Sequence, residues 1–188
     1  MRVKIGVMGS ADGAMSEEAV KKAYRLGQEI ARRGCVIVTG GCPGLPYDAT
    51  RGAKAEGGIT VGVSPALNLE EHINRYDSPV HDIDVLIFTG QGLMGREATG
   101  VRTCDIVITI GGRSGTLGEF AIAYDEGKLL GVVEGTGGIS DEIRDIAKII
   151  EKPTGVRIYF NSDPVRLIDD LLVAYNESKD SKLLGPLG

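Results

Sequence analysis

Short apolar runs alternate with longer segments of helical periodicity along the 188-residue chain. The apolar runs are continuous rather than alternating, which is typical of strands covered by helices on both faces. They predict strands at residues 3–8, 35–38, 59–63, 105–110, 129–133 and 156–160. Residues 84–88 fit either a further strand or part of the polar excursion that begins after Pro65.

Helical patterns fill the segments between these runs. In the first of them, Ala19, Ala23, Leu26 and Ile30 recur at steps of three and four residues and so share one helix face, and Ser16 is placed to cap that helix. The predicted helices cover residues 16–33, 47–56, 92–102, 116–126, 141–150 and 164–175.

The repeated strand–helix–strand order predicts an α/β fold, a Rossmann-like doubly wound parallel sheet in a single domain, because such crossovers are right-handed. We expect this domain to cover residues 1–176. Residues 177–188 are polar and then rich in glycine and proline, and they are expected to form a flexible tail.

Composition excludes several classes of function. The net charge is −5, from 21 basic and 26 acidic residues without a basic block, which argues against nucleic acid as a partner. No signal-type stretch and no run of about 18 apolar residues is present, so we expect no membrane segment and a cytoplasmic protein.

The histidines and cysteines do not form a ligand set. His72 and His81 stand at no metal-ligand spacing, so no metal site is predicted. Cys35, Cys42 and Cys104 include no C-x-x-C pair, and the first and last adjoin apolar runs, where small core residues are expected.

Glycine is the residue type whose abundance is informative. The 28 glycines are about twice the average share of roughly 7%. Three glycine-containing loops follow predicted strands, where ligands bind in parallel sheets. They contain Gly9 and Ser10; Gly40, Gly41 and Gly44; and Gly111, Gly112, Arg113, Ser114, Gly115 and Thr116. A loop-rich scaffold without a ligand would have a similar composition.

The third loop predicts a site for a nucleotide-type phosphate. Free N–H groups at the start of the following helix attract an anion, while Ser114 and Thr116 add hydroxyl donors and Arg113 adds a cation. The alternative is a turn that needs positive φ, with Thr116 as a helix N-cap. The loop is neither a Walker A motif nor a G-x-G-x-x-G fingerprint.

Two charged residues accompany this loop. Glu119 lies three residues after Thr116, so it either completes a capping box or directs its carboxylate towards a ligand. Arg96 lies on the preceding helix, and from the residues alone a surface salt bridge is the favoured interpretation.

The segment 111–119, Gly-Gly-Arg-Ser-Gly-Thr-Leu-Gly-Glu, resembles the P-G-G-x-G-T-x-x-E motif of the LOG (LONELY GUY) phosphoribohydrolases and their relatives, once labelled lysine decarboxylases. The family's arginine falls on Arg96, and a second arginine and an aspartate fall on Arg102 and Asp105. The loops at residues 9–10 and 39–45 are also similar, and the resemblance spans about residues 3–133.

The resemblance implies a Rossmann-like fold, a homodimer and a small-molecule ligand, a nucleoside 5′-monophosphate whose N-glycosidic bond is hydrolysed. Gly112, Ser114, Gly115 and Thr116 would hold the phosphate. Glu119 and Arg96 would be the catalytic residues, with neither cofactor nor metal. The lysine decarboxylase label is rejected, because no glycine loop contains the lysine that a pyridoxal Schiff base needs.

Departures from the motif leave a second function open. Gly111 and Arg113 replace the motif's proline and second glycine, Glu97 stands where the enzymes carry lysine, and Gly118 replaces the first of two glutamates. Arg113 would either crowd the pocket or clamp a further phosphate. The alternative to the enzyme is a non-catalytic nucleotide or molybdenum-cofactor carrier, as found in sister branches. Within the sequence, only the apolar helix at 116–126 supports a dimer, and it could equally be core.

Overall fold

Seven strands and seven helices alternate along residues 1–183, the part of the chain that the computed structural model describes, with side chains described through residue 179. The strands are β1 Lys4–Gly9, β2 Val36–Thr39, β3 Ile59–Ser64, β4 Val85–Phe88, β5 Ile106–Ile110, β6 Leu129–Val133 and β7 Arg157–Asn161. The helices are α1 Glu17–Arg32, α2 Leu45–Ala55, α3 Leu69–Asn74, α4 Gly92–Thr103, α5 Ser114–Asp125, α6 Gly138–Ile150 and α7 Pro164–Leu183.

The strands form one parallel sheet in the order β4-β3-β2-β1-β5-β6-β7. The chain builds outward from β1 to β4, returns to the other side of β1 with β5, and continues to β7. This order confirms the predicted doubly wound α/β fold. It also settles residues 84–88, because β4 pairs with β3 at the edge of the sheet.

Helices cover both faces of the sheet. One core contains apolar residues of α1, α2 and α7, and the other contains those of α4, α5 and α6. Every residue of β5 and β6 is buried, which explains their unbroken apolar sequences. Cys35 and Cys104 are buried in these cores, as expected.

Helix α1 follows the sequence prediction closely. The Ser16 hydroxyl accepts a hydrogen bond from the Ala19 N–H at 3.1 Å, and Glu17 lies in the positive first turn. The four residues of the predicted apolar face are all buried.

Helix α5 begins two residues earlier than predicted. Arg113 occupies the N-cap position, and the Leu117 N–H closes the first turn on the Arg113 carbonyl at 3.0 Å. Thr116 therefore lies inside the first turn, which rules out the two alternatives in which it caps the helix or forms a capping box with Glu119. The helix can start this early because Gly111 and Gly112 adopt φ values of 60° and 100° and turn the chain sharply before it.

The excursion after Pro65 contains a helix that the sequence pattern does not indicate. Asn68 caps α3 by accepting from the Glu71 N–H at 2.9 Å, and six residues are too few to show a periodicity. His72 on this helix is buried and joins two elements. Its Nε2 donates to the Pro79 carbonyl at 3.1 Å, which leaves Nδ1 to accept from the Ser64 hydroxyl at 2.8 Å.

Helix α7 extends to Leu183, beyond residue 176 where the domain was expected to end. Residues 184–188 of the expected tail lie outside the described residues.

Helices α1 and α2 touch through their backbones. A Cβ atom at Gly27 would overlap the Ala49 carbonyl, and one at Gly52 would overlap the Tyr24 carbonyl. The two glycines therefore set the distance between these helices, against a helix-propensity cost of about 1 kcal/mol each.

We expect Gly52→Ala to lower the free energy of unfolding by about 1–3 kcal/mol, because the added methyl group forces the two backbones apart. Urea unfolding followed by circular dichroism measures the change. Gly100→Ala is the matched control, since a Cβ there meets only the Met8 methyl at 3.9 Å. Equal stability of the two variants would contradict the expectation.

Candidate functional site

A pocket of about 370 Å³ opens beyond the carboxyl ends of the central strands. Loops after β1, β2 and β5 and the first turns of α4 and α5 surround it. Strand β1 lies between β2 and β5, at the point where the chain reverses its direction of winding. Ligands of open parallel sheets bind at such switch points.

The turn that leads into α5 is held by the protein itself. The Gly112 N–H donates to the Ser10 hydroxyl oxygen at 2.6 Å, and the Gly111 N–H donates to Thr136 Oγ1 at 2.9 Å. The Gly112 carbonyl accepts from the Ile139 N–H at 3.0 Å. Neither glycine lines the pocket. Gly111 and Gly112 therefore shape the loop and have no free N–H for a ligand.

The next three residues present their N–H groups to the pocket. Ser114, Gly115 and Thr116 form the first turn of α5 and line the pocket, and within residues 1–183 nothing accepts from their backbone N–H groups. The positive end of the helix dipole adds to them. This arrangement is an anion cradle of the kind that holds phosphate groups at helix N-termini.

Arg113 lies at the mouth of the pocket. Its Nη2 is 3.4 Å from Asp12 Oδ2, and both side chains are largely exposed. An exposed ion pair of this kind contributes little to stability. The guanidinium is therefore free to exchange Asp12 for another anion.

Arg96 lies deep in the pocket rather than at the surface. Only 9% of the residue is exposed, and Nη1 donates to the Val63 carbonyl at 2.8 Å. A side chain at Gly40 would overlap the guanidinium, so that glycine makes room for it. The surface salt bridge favoured from the residues alone is wrong, because α4 packs across the carboxyl end of β3. Nε of Arg96 is buried without a hydrogen-bond partner in the described part of the chain.

Glu119 is the buried carboxylate of α5 in the same pocket. It is 8% exposed, and no donor among the described residues hydrogen-bonds to it. Burial raises the pKa of Glu119 from its usual 4.5 to about 7; the Arg96 charge lowers it and the Glu97 charge raises it further. At neutral pH the group thus exchanges readily between acid and carboxylate, as a general acid or base requires.

Glu97 is a pocket residue that sequence reasoning missed. It is 5% exposed, and its carboxylate lies between α4 and α5 against Gly115 and Gly118. Burial raises the pKa of Glu97, and the Arg96 charge partly offsets this. The sequence signal for it was the pair of glycines three residues apart in α5, which leave one helix face open.

Some of the remaining predicted residues line the pocket, and the others support the loop after β2. Gly9, Ser10 and Gly40 line the pocket, whereas Gly41 and Gly44 do not. The Gly41 N–H donates to its neighbour Thr39 at 3.2 Å, and Gly44 packs against the Ser10 carbonyl at the start of α2. The last two glycines are therefore supports of the loop.

Arg102 and Asp105 lie away from the pocket. Arg102 pairs with Glu126 at 2.5 Å, and Asp105 pairs with Lys4 at 2.7 Å beside the amino ends of β1 and β5. The structure does not bring these two family positions into the site.

The pocket also contains a thiol and apolar residues. Cys42, Leu93 and Met94 line it in addition to the predicted residues. Burial raises the pKa of the Cys42 thiol, which the Arg96 charge only partly offsets, so Cys42 is a poor nucleophile. Within the described residues no group of three His, Cys, Asp or Glu side chains could hold a metal ion. The Glu97 and Glu119 carboxylates provide groups for acid–base chemistry in this pocket.

The chain belongs to the SLOG cluster4 family, whose model matches residues 2–168. It is 36% identical over 126 residues to an uncharacterized protein of Archaeoglobus fulgidus, covering 67% of this chain and 76% of that one. Among solved structures, TM1055, a structural genomics target, is 25% identical with a TM-score of 0.79, over 92% of this chain and 99% of that one. The molybdenum cofactor binding protein of Rippkaea orientalis is 29% identical with a TM-score of 0.69, over 95% and 97%.

More distant structures share the fold alone. DNA processing protein A of Helicobacter pylori, described with single-stranded DNA, is 18% identical with a TM-score of 0.62, over 92% of this chain and 81% of that one. The expected absence of a nucleic-acid partner therefore stays a prediction. Among the described helices, none combines the length and the hydropathy that crossing a membrane would require.

The raised pKa of Glu119 predicts a pH-dependent stability. A carboxyl group whose pKa is higher in the folded than in the unfolded state stabilises the fold at low pH and loses that contribution as pH rises through about 7. From 4.5 to about 7 this amounts to about 3 kcal/mol. Between pH 5 and pH 8 we expect Glu119→Gln to gain stability relative to the unsubstituted protein by up to this amount.

Chemical denaturation at a series of pH values measures the difference. Glu142→Gln, on the exposed side of α6, serves as the control. A constant difference between Glu119→Gln and the unsubstituted protein across pH 5–8 would show that Glu119 titrates normally.

Proposed function

We propose that this SLOG cluster4 protein binds the 5′-phosphate of a nucleotide and hydrolyses its N-glycosidic bond, as a nucleoside 5′-monophosphate phosphoribohydrolase. The observation that carries the proposal is Glu119, a buried carboxylate without a hydrogen-bond donor, at a pKa of about 7, in the pocket that contains the anion cradle. Such a strongly perturbed group in a cleft is typical of catalytic sites.

The phosphate is bound at the start of α5. The free N–H groups of residues 114–116 bind it, and Ser114 and Thr116, which also line the pocket, add hydroxyl donors. Ser10 and Gly112 hold this turn in place through their hydrogen bond. A pocket of about 370 Å³ fits a small ligand of nucleotide size.

Hydrolysis then proceeds at the anomeric carbon of the sugar. Water adds to that carbon, the bond to the base breaks, and positive charge develops on the sugar in the transition state. The Glu119 carboxylate stabilises this charge and takes a proton from the attacking water. That proton then passes to the departing base. The products are free base and ribose 5-phosphate. Arg96 keeps part of the Glu119 population ionised.

A second candidate is a carrier that binds a phosphorylated ligand without turnover. The molybdenum cofactor binding protein of Rippkaea orientalis is similar over almost the whole chain. Arg113 favours this candidate, because it replaces a glycine of the LOG motif and pairs with Asp12 across the pocket mouth. A guanidinium at that place would hold a ligand in rather than speed its release.

Release of free base separates the two candidates. We expect the unsubstituted protein to release base from at least one of a panel of nucleoside 5′-monophosphates, measured by chromatography. Glu119→Gln should lower the rate about 10²–10⁴-fold, the usual contribution of a general acid or base, while still binding the nucleotide. Glu142→Gln again serves as control. Nucleotide binding without base release above that of Glu119→Gln would favour the carrier and contradict the hydrolase.

A homodimer is the assembly we propose, through the sheet face beside α4. The apolar helix α5 no longer supports it, because Phe120 is fully buried in the core. Instead, Val85 and Ile87 on edge strand β4 are 49% and 43% exposed, in register with Val61 and Val63 of β3 on the α4 side of the sheet. A second copy would cover this apolar strip.

Light scattering after size-exclusion chromatography tests the dimer. We expect a mass about twice 19.8 kDa, falling to the monomer value in Ile87→Lys, because a charge cannot be buried without a partner. Ile149→Lys is the control, since Ile149 is exposed on the remote helix α6. A monomer for the unsubstituted protein, or a dimer unaffected by Ile87→Lys, would contradict this interface.

A further inference from the structure

Glu97 is a buried acid that neither candidate function uses. It is 5% exposed, lines the pocket, and lies on α4 where that helix packs against the first turns of α5. A Cβ atom at Gly118 would be 2.6 Å from its Oε2, and one at Gly115 would be 3.3 Å from its Oε1.

Two glycines of α5 leave space for the Glu97 carboxylate. Gly115 and Gly118 are three residues apart and therefore lie on one helix face. Glycine is less favourable than alanine within a helix, so neither glycine is there for helix stability. A side chain at Gly118 would occupy the space that Glu97 Oε2 now fills. The open face of α5 thus lets the carboxylate reach the pocket.

The protein supplies no hydrogen-bond donor to Glu97. Within the described residues no N–H or O–H group bonds to either oxygen. Arg96 attracts the carboxylate by charge, but its Nη1 is committed to the Val63 carbonyl. Neither Glu97 oxygen is among the fully buried atoms that lack a partner, so the carboxylate is open to the pocket and can accept hydrogen bonds from a ligand there.

The position of Glu97 along α5 limits what that ligand group can be. Its carboxylate lies beside α5 from Gly115, itself a cradle residue, to Gly118, which is three residues or about 4.5 Å further along the helix. A phosphate there would be repelled by the carboxylate. Hydroxyl groups attached to the phosphorylated sugar lie at this range, and carboxylates hold the ribose hydroxyl of dinucleotides in related α/β folds.

We propose that Glu97 accepts hydrogen bonds from the vicinal hydroxyls of a ribose 5-phosphate unit, and that it thereby makes the pocket select ribonucleotides over 2′-deoxyribonucleotides. The proposal rests on the proposed phosphate site at α5 and applies equally to a hydrolase and to a carrier. Glu97 is a specificity-determining residue in either case.

Ribose 5-phosphate and 2-deoxyribose 5-phosphate are suitable probes, because they differ by one hydroxyl and have no glycosidic bond to cleave. Isothermal titration calorimetry gives the affinity of each. We expect the ribose compound to bind the unsubstituted protein at least about tenfold more tightly, the usual effect of a hydrogen bond to a charged group. In Glu97→Ala the ratio should fall to about one, mainly through weaker binding of the ribose compound.

Gly118→Ala tests the same contact while keeping the carboxylate. The added methyl group displaces Glu97, so the ribose preference should also fall. Gly100→Ala, on the same face of the sheet but with no contact shorter than 3.9 Å, should keep the preference. Thermal unfolding of each variant shows that it is folded, and Glu97→Gln, which retains one acceptor oxygen, should give an intermediate ratio.

The outcomes separate this proposal from the function on which it rests. Equal binding of both sugar phosphates, or a preference that survives Glu97→Ala, would overturn the role of Glu97 while leaving the phosphate site intact. Failure of both compounds to bind would overturn the phosphate site, and the role of Glu97 with it.

Discussion

The hydrogen bond from the Gly112 N–H to the Ser10 hydroxyl oxygen is the contact on which the site depends. It joins residues 102 positions apart, at the two loops that leave β1 and β5. These strands are neighbours because the sheet reverses its winding between them, and their pairing runs to the last residues, Gly9 opposite Ile110. With the turn fixed in this way, α5 starts at Ser114 and its first N–H groups face a cleft instead of the sheet.

The electrostatics of the pocket follow from burying three charges while supplying hydrogen bonds to only one of them. The guanidinium of Arg96 has a carbonyl acceptor, whereas Glu97 and Glu119 have no donor in the described residues. Burial raises the pKa of both acids and so favours their neutral forms, and the positive charge of Arg96 partly offsets this rise. The pocket is thus positive at the α5 cradle and acidic beside it. A ligand that suits both ends has an anionic group and, close to it, hydroxyl groups or developing positive charge.

Most of the fold follows from local sequence, because continuous apolar runs and helix caps are local features. The edge strand β4 and helix α3 are harder to predict from the sequence. A six-residue helix shows no periodicity, and β4 carries exposed apolar residues. At the site, the anion cradle could be predicted from the glycine loop before a helix, whereas only the resemblance to the LOG motif placed Arg96 beside Glu119. The different roles of neighbouring glycines could not be predicted from the sequence. The Gly112 N–H bonds to Ser10 while Gly115 lines the pocket, and only the three-dimensional structure distinguishes the two.

Glu97 shows why the rest of the site does not follow from the sequence. In the sequence, Glu97 replaces a lysine of the LOG pattern, and Gly118 replaces a glutamate. Taken separately, each replacement removes a charged group that the LOG enzymes carry. In the structure the two changes meet, since the carboxylate from α4 fills the space that Gly118 leaves on α5. Neither substitution alone would give this arrangement: a side chain at 118 would exclude Glu97, and a lysine at 97 would bring a cation next to Arg96. The two departures therefore form one structural feature, and the pocket presents two carboxylates beside its anion cradle.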